Sequence, residues 1–295
     1  MIVDFHVHST ASDGTLPPRD LAERAAAGGF AAIALTDHDN SDGAVEFMSA
    51  GRAANAAGAA TRFVQGIELS IEPGETFDKF HLLGIGVDTG NEELKGFLRK
   101  VLEGRNERNR AIFENFRRIG IGDIAPEPHG EVLARPHFAR WLVDNGYAET
   151  VVDAFRKYLL PESPVETRCY EERFHPSQEE AFRVIHGAGG LCVMAHPKYW
   201  RRQWKVVGPD YGDAERGLAA LKEMGLDGLE AIYQANTQAE NVGFAAIAAR
   251  LGLLATAGSD FHGSNKPTIS LGMDVEESFI APFLERLASV PRSPS

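Results

Sequence analysis

Short apolar runs recur along this chain, and run after run stops at a histidine or a carboxylate. The first reads Asp4-Phe5-His6-Val7-His8, with Asp13 five residues beyond it. The second stops at Thr36-Asp37-His38-Asp39, the third at Gly66-Ile67-Glu68, and the fifth at Ala195-His196-Pro197. The seventh stops at Gly258-Ser259-Asp260-Phe261-His262-Gly263, while the fourth begins with His81. These runs predict strands over residues 2–8, 31–36, 62–67, 80–87, 191–195, 228–232 and 253–257. Side chains at i and i+2 share a face of a strand, so His6 and His8 project together. Parallel α/β folds gather their sites at the carboxyl ends of strands, where these groups stand.

Amphipathic stretches between the runs predict helices over 21–27, 43–57, 177–186, 213–224 and 239–251, several of them ending at glycine. Alternation of this kind implies a parallel sheet with crossover helices, and seven units favour closure into a barrel. Residues 92–168 break the rhythm: 92–118, 136–145 and 150–158 read as helices with no strand among them. The expected organisation is an α/β barrel of 1–91 and 169–295, with 92–168 as a small helical insertion capping its mouth. The tail 291–295 is expected to fray.

Asp and Glu number 42 against 30 Lys and Arg over 295 residues, a net charge of −12. That field disfavours an extended nucleic-acid surface or binding to an anionic membrane, and leaves room for a locally cationic cleft. Arg99, Lys100, Arg105, Arg108, Arg110, Arg117 and Arg118 make the first helix of the insertion locally basic. No apolar run approaches the roughly 20 residues of a membrane span. The start of the chain lacks a secretory pattern, and two cysteines, Cys169 and Cys192, cannot form a disulfide framework. A cytoplasmic protein is expected, with no protein partner evident.

Six of the ten histidines and three carboxylates fall at strand ends in one sense along the chain, which scattered structural histidines would not do. Imidazole and carboxylate without thiolate suit Zn, Mn or Fe(II). Nine groups exceed the needs of one ion and fit two or three divalent ions, with Glu68 or a similar carboxylate bridging. Such a cluster activates a bridging water and clamps phosphoryl oxygens, so a phosphate ester is the natural substrate. Asp37 and Asp39, flanking His38, are expected as acceptors supporting ligand histidines.

The chain resembles the PHP (polymerase and histidinol phosphatase) superfamily of metal-dependent phosphoesterases over nearly its whole length. The motifs are DFHVHSTASDG (4–14), ALTDHD (34–39), GIELS (66–70), FHLLGIG (80–86), MAHP (194–197) and GSDFHG (258–263). The resemblance implies a distorted (β/α)7 barrel and metal ligands at His6, His8, Asp13, His38, Glu68, His81, His196, Asp260 and His262. It implies one ion on His6, His8, Glu68 and Asp260, a second on Glu68, His81 and His196, and a third on Asp13, His38 and His262. Asp13, His38, Glu68, Asp260 and His262 are the expected catalytic residues.

RPHFARWLVDNG (135–146) and AFRKYL (154–159) resemble the branch of nucleoside 3′,5′-bisphosphate phosphatases and 5′→3′ exoribonucleases. By that resemblance Arg135, His137 and Lys157 bind a second phosphate. Three segments depart from the branch: Pro161-Glu162-Ser163-Pro164-Val165-Glu166, Lys198-Tyr199-Trp200-Arg201-Arg202 and Tyr233-Gln234-Ala235-Asn236. All three are expected to border the substrate. The expected reaction is hydrolysis of a small phosphomonoester, a nucleoside 3′,5′-bisphosphate, by a metal-bridging hydroxide. Rival readings are 5′→3′ trimming of short RNA, histidinol-phosphate hydrolysis, amide hydrolysis at the same ions, and a silent metal-bound scaffold.

Overall fold

A computed structural model describes residues 1–72, 79–122, 124–126, 133–203 and 212–289, without the side chains of 201–203, 212 and 213. The tail 291–295 lies outside the described residues. Eight strands form one sheet: β1 (Ile2–Val7), β2 (Ala32–Leu35), β3 (Arg62–Ile71), β4 (Phe80–Ile85), β5 (Leu191–Met194), β6 (Gly228–Tyr233), β7 (Leu254–Gly258) and β8 (Met273–Asp274). Their order is β7-β6-β5-β4-β3-β2-β1-β8. Beyond β7 the chain turns back onto β1: the Asp260 amide donates to the His6 carbonyl at 2.9 Å, and the His8 amide to that of Phe261 at 3.0 Å. These bonds bring the two ends of the sheet together into a nearly closed barrel.

The sheet is mixed, where strand–helix alternation predicted a parallel one. β4 runs antiparallel to both β3 and β5, and β8 antiparallel to β1. The cause is length: β3 continues to Ile71 and β4 begins at Phe80, too short a connection for the crossover that parallel neighbours need. The reversal has a consequence for the site. An antiparallel strand starts at the rim where its neighbours finish, so His81, at the beginning of β4, reaches the same rim as His8 and Glu68.

Helices α1 (Pro18–Ala27), α2 (Ala44–Ala56), α6 (Gln178–Gly187), α8 (Gly212–Met224) and α9 (Gln238–Leu251) lie within two residues of expectation at most ends, α1 starting three earlier. α9 shows why: Thr237 and Glu240 form a capping box, and Gly252 takes a left-handed φ of 61° at its end. Two helices were not anticipated, α7 (Pro197–Gln203) and α10 (Glu277–Ser289). Pro282 lies inside α10 and weakens its sequence signal. α10 nonetheless plugs the barrel, with Ile280, Phe283 and Leu287 buried among Val3, Phe5 and Val193. The Phe5 and Phe283 rings meet edge to face at 4.8 Å.

Between β4 and β5 run α3 (Glu92–Arg118), α4 (Arg135–Asp144) and α5 (Val151–Ala154), the last continuing as a π turn over Phe155–Leu159. Asn91 caps α3, and Glu92, Glu93, Arg117 and Arg118 complement its dipole. Its 27 residues span roughly 40 Å. Leu94, Phe97, Leu98 and Val101 of its first half belong to the barrel core. Ile112 and Phe116 of its second half pack instead with Phe138, Leu142, Ala154 and Leu159. Among the described residues no helix is long and apolar enough to cross a membrane.

Candidate metal centre

Glu68, fully buried on β3, is the hub of the rim. Its Oε2 lies 3.3 Å from His6 Nε2, 3.2 Å from His8 Nε2 and 2.9 Å from His38 Nδ1. Its Oε1 lies 2.8 Å from His81 Nδ1 and 3.2 Å from His196 Nε2. Asp260 Oδ1 is 3.6, 3.4 and 3.3 Å from His6, His8 and His262. Asp13 Oδ1 is 3.2 Å from His262 Nε2 and 3.9 Å from His38 Nε2. All nine side chains singled out from the motifs thus converge.

Burial alone would raise the Glu68 carboxyl, but His38, His6 and His81 outweigh it and hold it well below its usual range. Burial likewise pulls His8 down, yet Asp260 and Glu68 push it up to about 9. The carboxylates are asking for positive charge. Five buried atoms aimed into the cluster have no hydrogen-bond partner: His6 Nε2, His8 Nδ1 and Nε2, Asp13 Oδ1 and Glu68 Oε2. Orphaned polar atoms at this depth are costly unless something else binds them. Among these nine side chains, three combinations bring possible ligand atoms within 4.8 Å of one another: His8, Asp13, His38 and His262; His6, His8 and Glu68; His38, Glu68 and His81. This donor set fits divalent cations.

The groups that orient these side chains were largely missed from sequence. His6 Nδ1 faces Glu230 Oε1 at 3.0 Å, and Glu230 Oε2 accepts the His196 amide at 2.6 Å. The available signal was a lone carboxylate inside the apolar run 228–232. Ser70 Oγ sits 3.2 Å from His81 Nε2. Tyr233 and Lys266 donate to Asp260 Oδ2 at 3.1 and 2.6 Å, leaving Oδ1 toward the histidines. Asp37 and Asp39 do not support a histidine, contrary to expectation. Asp37 accepts from Ser9 and Ser12 and ties down the loop after β1. Asp39 pairs with Arg105, and with Arg173 at 2.7 Å. Among the described residues, three non-glycine residues take a left-handed backbone, Asp39, His196 and Asp260, each within one of the motifs ALTDHD, MAHP and GSDFHG.

The three expected phosphate ligands part company. Arg135, largely enclosed, lies with its Cζ 5.5 Å from the Tyr170 ring. His137 is buried, and its Nδ1 accepts the Ala134 amide at 2.9 Å, closing the start of α4. Lys157 stands on the surface, paired to Asp153 of the preceding turn at 2.7 Å. Of the segments departing from the branch pattern, two reach the centre: the Tyr199 and Tyr233 rings lie 5.3 and 5.9 Å from that of His196.

Residues 4–133 match the PHP domain. The chain is 35% identical over 265 residues to the 3′,5′-nucleoside bisphosphate phosphatase of Chromobacterium violaceum, covering 88% of this chain and 87% of that one. It is 31% identical over 280 residues to the 5′-3′ exoribonuclease Rnm of Escherichia coli, covering 92% and 88%. A solved amidohydrolase from Chromobacterium violaceum, with bound sulfate and no metal, superposes with a TM-score of 0.79 at 31% identity, over 98% of this chain and 97% of that one.

Proposed function

This chain belongs to the PHP domain family of metal-dependent phosphoesterases, and from that premise we propose that it hydrolyses one phosphate of a nucleoside 3′,5′-bisphosphate to leave a nucleoside 5′-monophosphate. The observation that carries the reading is the double use of Glu68, with separate histidine sets on its two oxygens. His6, His8, Glu68 and Asp260 would hold one ion, Glu68, His81 and His196 a second, and Asp13, His38 and His262 a third, the metal being Mn, Fe or Zn. When bound, the ions neutralise phosphoryl oxygens and lower the pKa of a nucleophilic water.

The protein's own groups do the positioning. Glu230 faces His6 Nδ1 and, with an ion bound, would hold the ring proton there and leave Nε2 to the cluster. The Asp260 carbonyl holds His262 Nδ1 at 2.8 Å with the same effect. Lys266 and Tyr233 fix one oxygen of Asp260 and orient the other. The five residues Asp13, His38, Glu68, Asp260 and His262 face the reacting phosphoryl group, and Arg135 and His137, on the insertion 92–168, border the second phosphate. Cys169 and Cys192, both buried and unbridged, accord with a reducing cytoplasm.

The experiment is phosphate release from adenosine 3′,5′-bisphosphate by Mn-loaded protein, beside a 5′-phosphorylated five-nucleotide RNA and histidinol phosphate. Preferential turnover of the bisphosphate supports the reading. Faster turnover of either alternative replaces it.

A further inference from the structure

At the end of the barrel away from the histidine cluster, a second set of ligand-type side chains converges. His186 lies in the last turn of α6, Cys192 near the start of β5, and Asp227 directly before β6. β5 runs from there toward His196, so this set stands at the amino ends of the strands whose carboxyl ends carry the centre. A ring nitrogen of His186, the thiol of Cys192 and a carboxylate oxygen of Asp227 all lie within 4.8 Å of one another. Cys192 and Asp227 lock each other in place. The Asp227 amide donates to the Cys192 carbonyl at 2.9 Å, and the Cys192 amide donates to Asp227 Oδ2 at 2.8 Å. The same oxygen faces His186 Nε2 at 2.7 Å. The thiol is fully buried, and among the described residues its one hydrogen-bond contact is the Phe182 carbonyl, at a long 4.0 Å. Burial, and then Asp227, push that thiol well up, so it keeps its proton until a cation displaces it.

The set opens to solvent on one side, since His186 is exposed and Asp227 half-buried. Gly225, with a φ of 119°, lies against the His186 ring, where a Cβ would stand 3.1 Å from Cε1. Its bare backbone leaves the ring room to turn. The carboxyl end of α6 adds the negative end of a helix dipole. We infer that His186, Cys192 and Asp227 form a separate metal site for a thiophilic divalent cation of the Zn²⁺ class, with water completing its coordination. Thiolate, imidazole and carboxylate are a zinc donor set, and the thiolate discriminates against Mn²⁺ and Mg²⁺. Zinc bonds of about 2.0–2.3 Å put the donors of one ion roughly 3–4 Å apart, so a turn of the exposed ring closes this set on a cation. Binding sends the thiol proton to solvent and leaves Cys192 as the thiolate, with nothing oxidised or reduced. The ion staples the end of α6 to the starts of β5 and β6. The site does not depend on the substrate reading.

The test titrates the Mn-loaded full chain with Co²⁺, a spectroscopic stand-in for Zn²⁺. The side chains gathered at the catalytic rim are imidazoles and carboxylates, so a near-ultraviolet thiolate-to-Co(II) charge-transfer band reports the cysteine site even where Co²⁺ also enters the centre. The wild type is expected to develop the band, Cys169→Ser to keep it and Cys192→Ser to lose it. His186→Gln should show the band with Co²⁺ affinity reduced at least about tenfold, taking a coordinate bond as worth no less than a charge-assisted hydrogen bond. His186 is exposed, so H186Q keeps the test decisive if C192S does not fold. Zn²⁺ should displace Co²⁺ and abolish the band, and Mg²⁺ should leave it. A wild type without the band, a band that survives C192S or resists Zn²⁺, or an H186Q affinity equal to that of the wild type overturns the inference.

Discussion

His6 and Glu230 stand 224 positions apart in the chain and meet with Nδ1 3.0 Å from Oε1, both fully buried. The carboxylate reaches no further into the cluster, and its second oxygen is occupied by the His196 amide. It ties together the two stretches of chain that carry His6 and His196.

Replacing it should therefore cost metal before it costs fold. Glu230→Gln keeps the volume and exchanges an anionic acceptor for a neutral amide. Metal affinity is expected to fall about 10- to 100-fold, with near-native far-UV circular dichroism. Isothermal titration with Mn²⁺ checks this, and an unchanged affinity would show that Glu230 serves packing alone.

Stripping the ions should loosen the rim. An ion that binds only the folded chain stabilises it by about 2.7 kcal/mol at a hundred times its Kd. Melting in excess chelator should come several degrees lower than melting after Mn²⁺ is restored. A Tm indifferent to chelator and to added ion counts against a metal centre.

Gly258, at the end of β7, is held small by its neighbours. A Cβ there would run into Glu230 Oε1 and lie 2.5 Å from His6 Cβ. Gly258→Ala is expected to lower the Tm and the metal content together, because the clash falls on the Glu230–His6 pair at the rim. Metal analysis alongside calorimetry separates this from a general loss of fold.

Much of this was legible beforehand. An apolar run that stops at a histidine marks where a strand leaves the barrel, and the i, i+2 spacing fixes a shared face, so the nine converging side chains could be read from the letters. Strand direction could not, since β4 carries the same local signal whether it runs up or down. The loop length of eight residues between Ile71 and Phe80 was the only clue. Glu230 hid for a related reason: a buried carboxylate in a strand looks like any exposed one until its partner across the barrel is known. Lys157 misled in the opposite direction. It is expected at the phosphate only from the resemblance of AFRKYL (154–159) to the branch, and the structure pairs it with Asp153 on the surface.

His175 supplies a pH signature away from the centre. Burial first, and then Arg173 and Lys79, push it down to about 3. Lys79 Nζ lies 2.5 Å from its Nε2, where a second proton would be opposed. The folded chain thus keeps His175 neutral below the unfolded pKa of about 6.5, while the unfolded chain takes up a proton. Its contribution is constant above that value and turns against folding as pH drops from about 6.5 toward 3. His175→Gln should flatten the decline in stability between pH 6.5 and 4, measured by urea melts. An equal slope in both proteins refutes the assignment.

The unbroken α3 has one more implication. Its first turns are anchored among the strands and its last turns carry the aromatic cluster around Phe116 and Phe138. A rod fixed at one end and loaded at the other transmits force, so neither body can melt while the other stays whole without the helix parting in the middle. Heating should give a single calorimetric peak, because the one unbroken helix carries side chains of both clusters.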